Sequence, residues 1–185
     1  MSPILWCIGV VHVWANEYTD SNGVTWTWEE NSDMTACINS ASNYGTEVLV
    51  PGVVYDENGK GYVITSFQAS SGSWGDYYNL VEKVTLPTTV TSCSISACKS
   101  LISVENTSQL KSASFDHCSS LKSLDLSSCT SVSCEKCSGL TSVKLTNKCT
   151  SVWFYGCSNL VSVGDLSGLT SVSGNEVVGS FQACK

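Results

Sequence analysis

Cys118-Ser-Ser-Leu121-Lys-Ser-Leu124 recurs along the chain as Cys98-Lys-Ser-Leu101-Ile-Ser-Val104, Cys137-Ser-Gly-Leu140-Thr-Ser-Val143 and Cys157-Ser-Asn-Leu160-Val-Ser-Val163. A weaker copy, Tyr78-Asn-Leu-Val81-Glu-Lys-Val84, stands before them. The anchors are spaced by 20, 20, 19 and 20 residues. A fixed period of this length marks a solenoid, in which each repeat buries its apolar side only against its neighbours.

Within a repeat, apolar residues return three positions after the anchor (Val81, Leu101, Leu121, Leu140, Leu160) and six after it (Val84, Val104, Leu124, Val143, Val163). Leu86, Leu126 and Leu145 continue at position eight; Asn106 and Asp165 interrupt that column, where Leu166 can substitute by a one-residue slip. Positions six and eight share one face of a strand, and positions five and seven point the other way. A second extended segment precedes each anchor, with Ser92, Ser112, Ser131 or Ser151 six residues before it and Ile95, Phe115, Cys134, Phe154 or Phe181 three before it. No repeat holds the 10–12 residues of 3.6 periodicity that a helix needs. The coil is therefore expected to be β-rich.

The pattern C-x-x-L-x-S-V-x-L, and the stretch Val84-Thr-Leu-Pro-Thr-Thr-Val-Thr-Ser92, resemble the BspA-like leucine-rich repeats of bacterial surface proteins. The resemblance covers residues 63–185, and Tyr18–Trp26 is similar to the β-hairpin that begins many such proteins. The repeats depart from the family's wording in being shorter, and Pro appears in one repeat only. The resemblance implies a mainly β, right-handed leucine-rich-repeat solenoid with short coils and an N-terminal β-hairpin cap. It also implies adhesion to host protein, matrix or other cells.

The expected organisation is a leader-like segment at 1–15, a β cap at 16–65 and a solenoid at 66–185 that is cut short at its C-terminus. Ile4–Val13 is a short apolar run ending Val13-Trp14-Ala15, similar to a secretory h-region without its positive flank; a buried first strand is the other reading. A secreted or cell-surface location follows from the first reading. In the cap, Val24, Trp26 and Trp28 alternate with Thr25 and Thr27, and Val48–Val50, Val53–Tyr55 and Tyr62–Ile64 read as further strands. Asn58-Gly59 is expected to supply the positive-φ residues of a hairpin loop. Ser- and Gly-rich Gln68–Gly75 reads as a flexible loop. At the other end, Ser173–Gly179 lengthens the last interval to 27 residues, and the chain stops just past the anchor Cys184. The open last coil is expected to be poorly ordered after Gly174 or to self-associate.

The 11 cysteines admit three readings. They could form a disulfide framework, Cys134-x-x-Cys137 could belong to a zinc site, or they could be core residues. The repeat register favours the third. Cys98, Cys118, Cys137, Cys157 and Cys184 are anchors, Cys93 shares a column with Ala113, Val132 and Val152, and Cys129 and Cys149 align with Val90 and Leu110. Free Cys packs as a small hydrophobe. Anchors one coil apart sit about 4.8 Å from each other, wider than the ~3.8 Å between Cβ atoms of a relaxed disulfide.

Net charge is −7, and it is uneven: residues 16–80 hold nine acids and one Lys, residues 81–185 seven acids and eight Lys. There is no Arg, which argues against nucleic-acid reading. No transmembrane run is present, because none reaches about 18 apolar residues. No phosphate loop, nucleophile elbow or metalloprotease motif occurs. His117 beside Cys118 is placed on the opposite strand face from the thiol. No catalytic residue, metal or cofactor is assigned.

The candidate interaction surface is the outward column of the repeat strand: Lys83, Ser103, Glu105, Ser123, Asp125, Ser142, Lys144 and Ser162. Trp74, Tyr77, Trp153 and Tyr155 are alternative aromatic contacts. The chain thus reads as a non-enzymatic binding module for a protein or glycan ligand. A structural spacer in a larger surface protein and a carbohydrate-binding module using the aromatics are the competing readings.

Overall fold

The computed structural model describes residues 16–173. The leader-like segment, Phe181, Cys184, the stretch after Ser173 and the open last coil lie outside them, as does the side chain of Tyr77.

The N-terminal segment combines antiparallel hairpins with a parallel pairing of its third and sixth strands. β1 (Asn16–Thr19) and β2 (Thr25–Glu30) form a hairpin, and Trp26 and Trp28 on β2 point into the core. β3 (Thr35–Ser42) pairs antiparallel with β2. β5 (Val53–Tyr55) and β6 (Gly61–Ser70) form a second hairpin. Its loop is closed by the Gly59 N–H on the Asp56 carbonyl, and Gly59 alone takes positive φ, at 78°. Asn58 instead donates its N–H to the Asp56 carboxylate, so only half of the expected Asn-Gly pair is left-handed.

β6 crosses the boundary expected at residue 65, and a single sheet carries both parts. Its order is β1-β2-β3-β6, then the parallel series β8 (Ser92–Ser96), β10 (Ser112–Ser114), β12 (Ser131–Ser133), β14 (Ser151–Trp153) and β16 (Ser171–Ser173). The expected flexible loop at Gln68–Gly75 is corrected: Gln68–Ser70 complete β6, and Ser71–Trp74 form a short helix, α1. A 3-10 turn, Asp76–Leu80, leads to the first repeat. The indole of Trp74 ties this segment down by donating to the Gln68 carbonyl at 3.1 Å.

The strands after the anchors make a second, parallel face in two pieces. One is β4 (Glu47–Leu49), β7 (Lys83–Thr85) and β9 (Ser103–Glu105); the other is β11 (Ser123–Asp125), β13 (Ser142–Lys144) and β15 (Ser162–Val163). The break follows Asn106, which takes φ of 59° and is exposed, while Thr107 turns inward.

Each coil is closed by two reverse turns. The N–H of position three returns to the anchor carbonyl, as in Leu121 to Cys118 at 3.2 Å and Leu140 to Cys137 at 3.0 Å. The second turn is closed on position nine by Val90 to Pro87, Leu110 to Thr107, Cys149 to Thr146 and Leu169 to Leu166. In the coil of Cys118 the acceptor is Leu126, at position eight. The residue missing from the 19-residue interval is lost at this turn.

Gly139 is a close-contact position in the stack. A Cβ there would lie 2.3 Å from the Ser119 carbonyl oxygen and 3.1 Å from that of Leu121. Both are backbone atoms held in the stack and cannot swing aside. Gly139→Ala should therefore cost about 1–3 kcal/mol through overpacking. Urea unfolding would show it as a lowered midpoint, and a midpoint equal to wild type would contradict the contact.

The residue before the anchor is left-handed in every described coil from the second onward: Ala97, His117, Lys136 and Gly156 have φ of 61°, 60°, 54° and 73°. This corner turns the chain inward to the anchor. The N–H groups of Ala97, His117 and Lys136 donate to Asp116, Glu135 and Tyr155 of the next coil, respectively, which offsets part of the strain of a non-Gly left-handed residue.

The core is the stack of inward columns. Cys98, Cys118, Cys137, Leu101, Leu121 and Leu140 are all fully buried, with Cys157 and Leu160 nearly so. Cys93, Ala113, Val132 and Val152 are in register across neighbouring strands.

Candidate functional site

The strand register gathers the expected interaction column onto one face. Lys83 lies opposite Ser103, Thr85 opposite Glu105, Asp125 opposite Lys144, and Ser123, Ser142 and Ser162 run in line. Its charges are paired among themselves. Lys83 Nζ is 2.7 Å from Glu105, and Lys144 Nζ is 2.9 Å from Asp125. The Lys83 bond, followed by that from Thr85, holds the Glu105 carboxyl below its ordinary range. Partial burial works against ionisation of Asp125, but bonds from Lys144 and Ser127 still hold it low. Exposed pairs of this kind contribute little to stability. Within the column the two lysines and two carboxylates balance, and Glu47 on β4, opposite Lys83, adds a further acid at its N-terminal end.

At the N-terminal end of this face lies a groove of about 540 Å³. Leu49, Pro51, Thr85, Pro87, Asn106 and Asp20 line part of it. Leu49 projects with 63% of its surface exposed, unusual for a leucine beside a folded sheet. Asp20 is fixed by the Trp26 indole N–H at 3.0 Å. Sequence reasoning identifies the column but not the groove, whose walls come from segments far apart in the chain.

The opposite sheet carries a second regular surface. Ser66, Ser92, Ser112, Ser131 and Ser151 stand in one register column, and Gln68, Ser94, Ser114, Ser133 and Trp153 in the next. Asp116 accepts hydroxyl bonds from Ser114 at 2.8 Å and Ser133 at 2.7 Å, and the Glu135 N–H at 2.9 Å. The Ser-x-Ser alternation is the signal of this face in the sequence. Of the aromatic candidates, Trp153 is half-buried here and Tyr155 is 39% exposed. Trp74 is corrected: it is 5% exposed and enclosed by Trp26, Tyr44, Phe67 and Tyr78, so it serves packing.

The described cysteines are free thiols, and all but Cys37 are buried. The anchors form a hydrogen-bond ladder: Sγ of Cys118, Cys137 and Cys157 donates to the carbonyls of Ile95, Phe115 and Cys134 at 3.5, 2.5 and 2.7 Å, one coil back. Cys98 donates to Tyr78 at 3.3 Å. The anchor thus gives its thiol proton to a backbone carbonyl of the preceding coil, a bond Leu or Val cannot make. Burial pushes Cys98 up to about 11 and Cys129 and Cys157 up to about 12. Cys118 is also pushed up, first by its hydrogen bond with Cys137 and then by burial. Thiols raised in this way are poor nucleophiles at neutral pH. His117 is exposed while Cys118 is buried. No cluster of His, Cys, Asp and Glu suited to a metal occurs among the described residues.

Parallel repeat strands, an inward Leu column and a polar-bond anchor define a leucine-rich-repeat solenoid. The fold is similar to that of a leucine-rich cell surface protein from Faecalibacterium prausnitzii, with TM-score 0.67 and 24% identity, covering 84% of this chain and 44% of that one. It is also similar to a leucine-rich repeat protein from Bacteroides ovatus, with TM-score 0.59 and 18% identity, covering 75% of this chain and 39% of the other. The chain therefore spans less than half the length of either structure. No family model matches the sequence, and no curated protein matches it. Among the described residues, no helix is long and apolar enough to cross a membrane.

Proposed function

We propose that this chain is a non-enzymatic binding module of a secreted or surface-displayed protein, docking a protein partner on the face of β4, β7, β9, β11, β13 and β15. The groove at the N-terminal end of that face carries the reading. It places an exposed apolar anchor, Leu49, beside a flat polar strip in which Lys83 and Lys144 are paired with Glu105 and Asp125. An apolar centre with a polar surround is how a protein interface concentrates its binding energy. The similarity to a leucine-rich cell surface protein supports the surface location.

The test is binding to a panel of immobilised matrix and serum proteins by surface plasmon resonance. Leu49→Asp should weaken the interaction at least tenfold, and Ser103→Arg with Ser123→Arg should do the same, while both variants keep the wild-type melting temperature. Binding that is indifferent to all three substitutions would remove this face from the mechanism. No binding to any member of the panel would instead favour a spacer role.

A further inference from the structure

We infer that the serine-lined sheet is a second binding face, and that its ligand is a neutral polysaccharide laid along the solenoid axis. The inference is independent of the protein-docking face, which lies on the other side of the coils.

Charge selects the ligand class. The two central columns, from Ser66 to Ser151 and from Gln68 to Trp153, contain no ionisable side chain. A polyanion finds no counter-charge there, and Asp116 beside it is already engaged by Ser114, Ser133 and the Glu135 N–H rather than open to a basic peptide. The neighbouring column continues from Ser96 into Asp116 and Glu135, two half-buried carboxylates that repel anionic polymers. A protein partner would want an apolar centre, and here the centre is hydroxyl. A serine hydroxyl both donates and accepts, as sugar hydroxyls do, so a hydroxylated neutral chain is the complement of this surface.

Geometry selects a linear chain. Trp153 ends β14 in the same register column as Ser133, and Tyr155, 39% exposed, sits in the turn that follows it. Exposed aromatic rings offer a flat apolar surface to the C–H face of a pyranose, with polar edges for its hydroxyls. At the other end of the strip, a polar groove of about 260 Å³ is lined by Asn39, Gln68, Ser70, Ser73, Ser94 and Ser96. Three coil spacings, about 14 Å, separate the strands of Ser94 and Trp153. The coil repeat of about 4.8 Å is comparable with the length of one pyranose unit in an extended chain, so successive sugars meet successive hydroxyls.

Isothermal titration calorimetry with cellohexaose, chitohexaose, laminarihexaose and mannohexaose tests the inference. At least one hexasaccharide should bind, and its disaccharide should bind at least tenfold more weakly. Trp153→Ala with Tyr155→Ala should weaken binding tenfold or more. Ser94→Lys, three coils from the aromatics and unable to disturb their packing, should weaken it as well; Leu49→Asp on the opposite face should not. Absence of binding to all four hexasaccharides would overturn the proposal. So would affinity unchanged by Ser94→Lys and Tyr155→Ala, or stronger binding of heparin than of the neutral sugars.

Discussion

Raising the pH from 8 to 11 should unfold this protein, and the buried thiols should be the cause. An unfolded cysteine ionises near pH 8.5. In the fold, Cys98 is raised to about 11 and Cys129 and Cys157 to about 12, while Cys93 and Cys134, whose shift is dominated by burial, are raised as well. The folded pKa exceeds the unfolded one, so between the two the unfolded state binds fewer protons and stability falls as pH rises. The contribution is fully present below about pH 8.5 and is lost on the way up to the folded values. Each such thiol removes about 1.4 kcal/mol per pH unit in that window. Summed over these thiols the loss is several kcal/mol, a large part of the net stability of a domain, and Cys137, held below the ordinary thiol value by its hydrogen bond with Cys118, offsets part of it. The buried phenol of Tyr78, raised chiefly by desolvation, acts in the same direction.

Urea midpoints measured with reductant present should therefore be flat from pH 6 to 8 and fall steeply from 9 to 11. Cys93→Val with Cys129→Val, both in columns that already hold Val, should flatten the slope without lowering the midpoint at pH 7 by much. A midpoint independent of pH up to 11 would mean that the thiols are not enclosed as the burial implies.

Much of this ladder is legible in the sequence, because a repeat reports the environment of each position several times over. Cys93 belongs to the core because Ala113, Val132 and Val152 occupy the same register. The left-handed corner is not legible. It falls on Ala97, His117 and Lys136, and only Gly156 carries the usual sign of positive φ. Those residues hold the conformation because the coils above and below fix both neighbouring strands. β3 escapes a sequence reading because its apolar alternation, Ala36 and Ile38, is interrupted by a register shift in its pairing with β2. Gln68–Gly75 misleads for a compositional reason: serine and glycine dominate it, but Trp74 anchors it from the inside. Of the two candidate faces, the outward strand column follows from the period. The groove beside it and the shared serine sheet depend on which distant segments become neighbours, and a periodic pattern does not carry that information.

Leu121→Ala should be among the most damaging single substitutions in the stack. Leu121 is fully buried in a column between Leu101 and Leu140, and its N–H closes the turn on Cys118. Truncation leaves a cavity that the stack cannot collapse, because the backbone on either side is tied by parallel ladders. The expected cost is about 2–5 kcal/mol. Ser123 is two residues away and points outward, so Ser123→Ala should change stability by no more than about 0.5 kcal/mol. In a solenoid the coupling runs only between nearest neighbours. Loss of Leu121 weakens contacts to both adjacent coils at once, and unfolding should lose cooperativity there. Equilibrium urea unfolding should show a lower midpoint and a reduced m-value for Leu121→Ala, with neither change for Ser123→Ala. Equal effects of the two would mean that the inward and outward faces of the repeat strand have been interchanged.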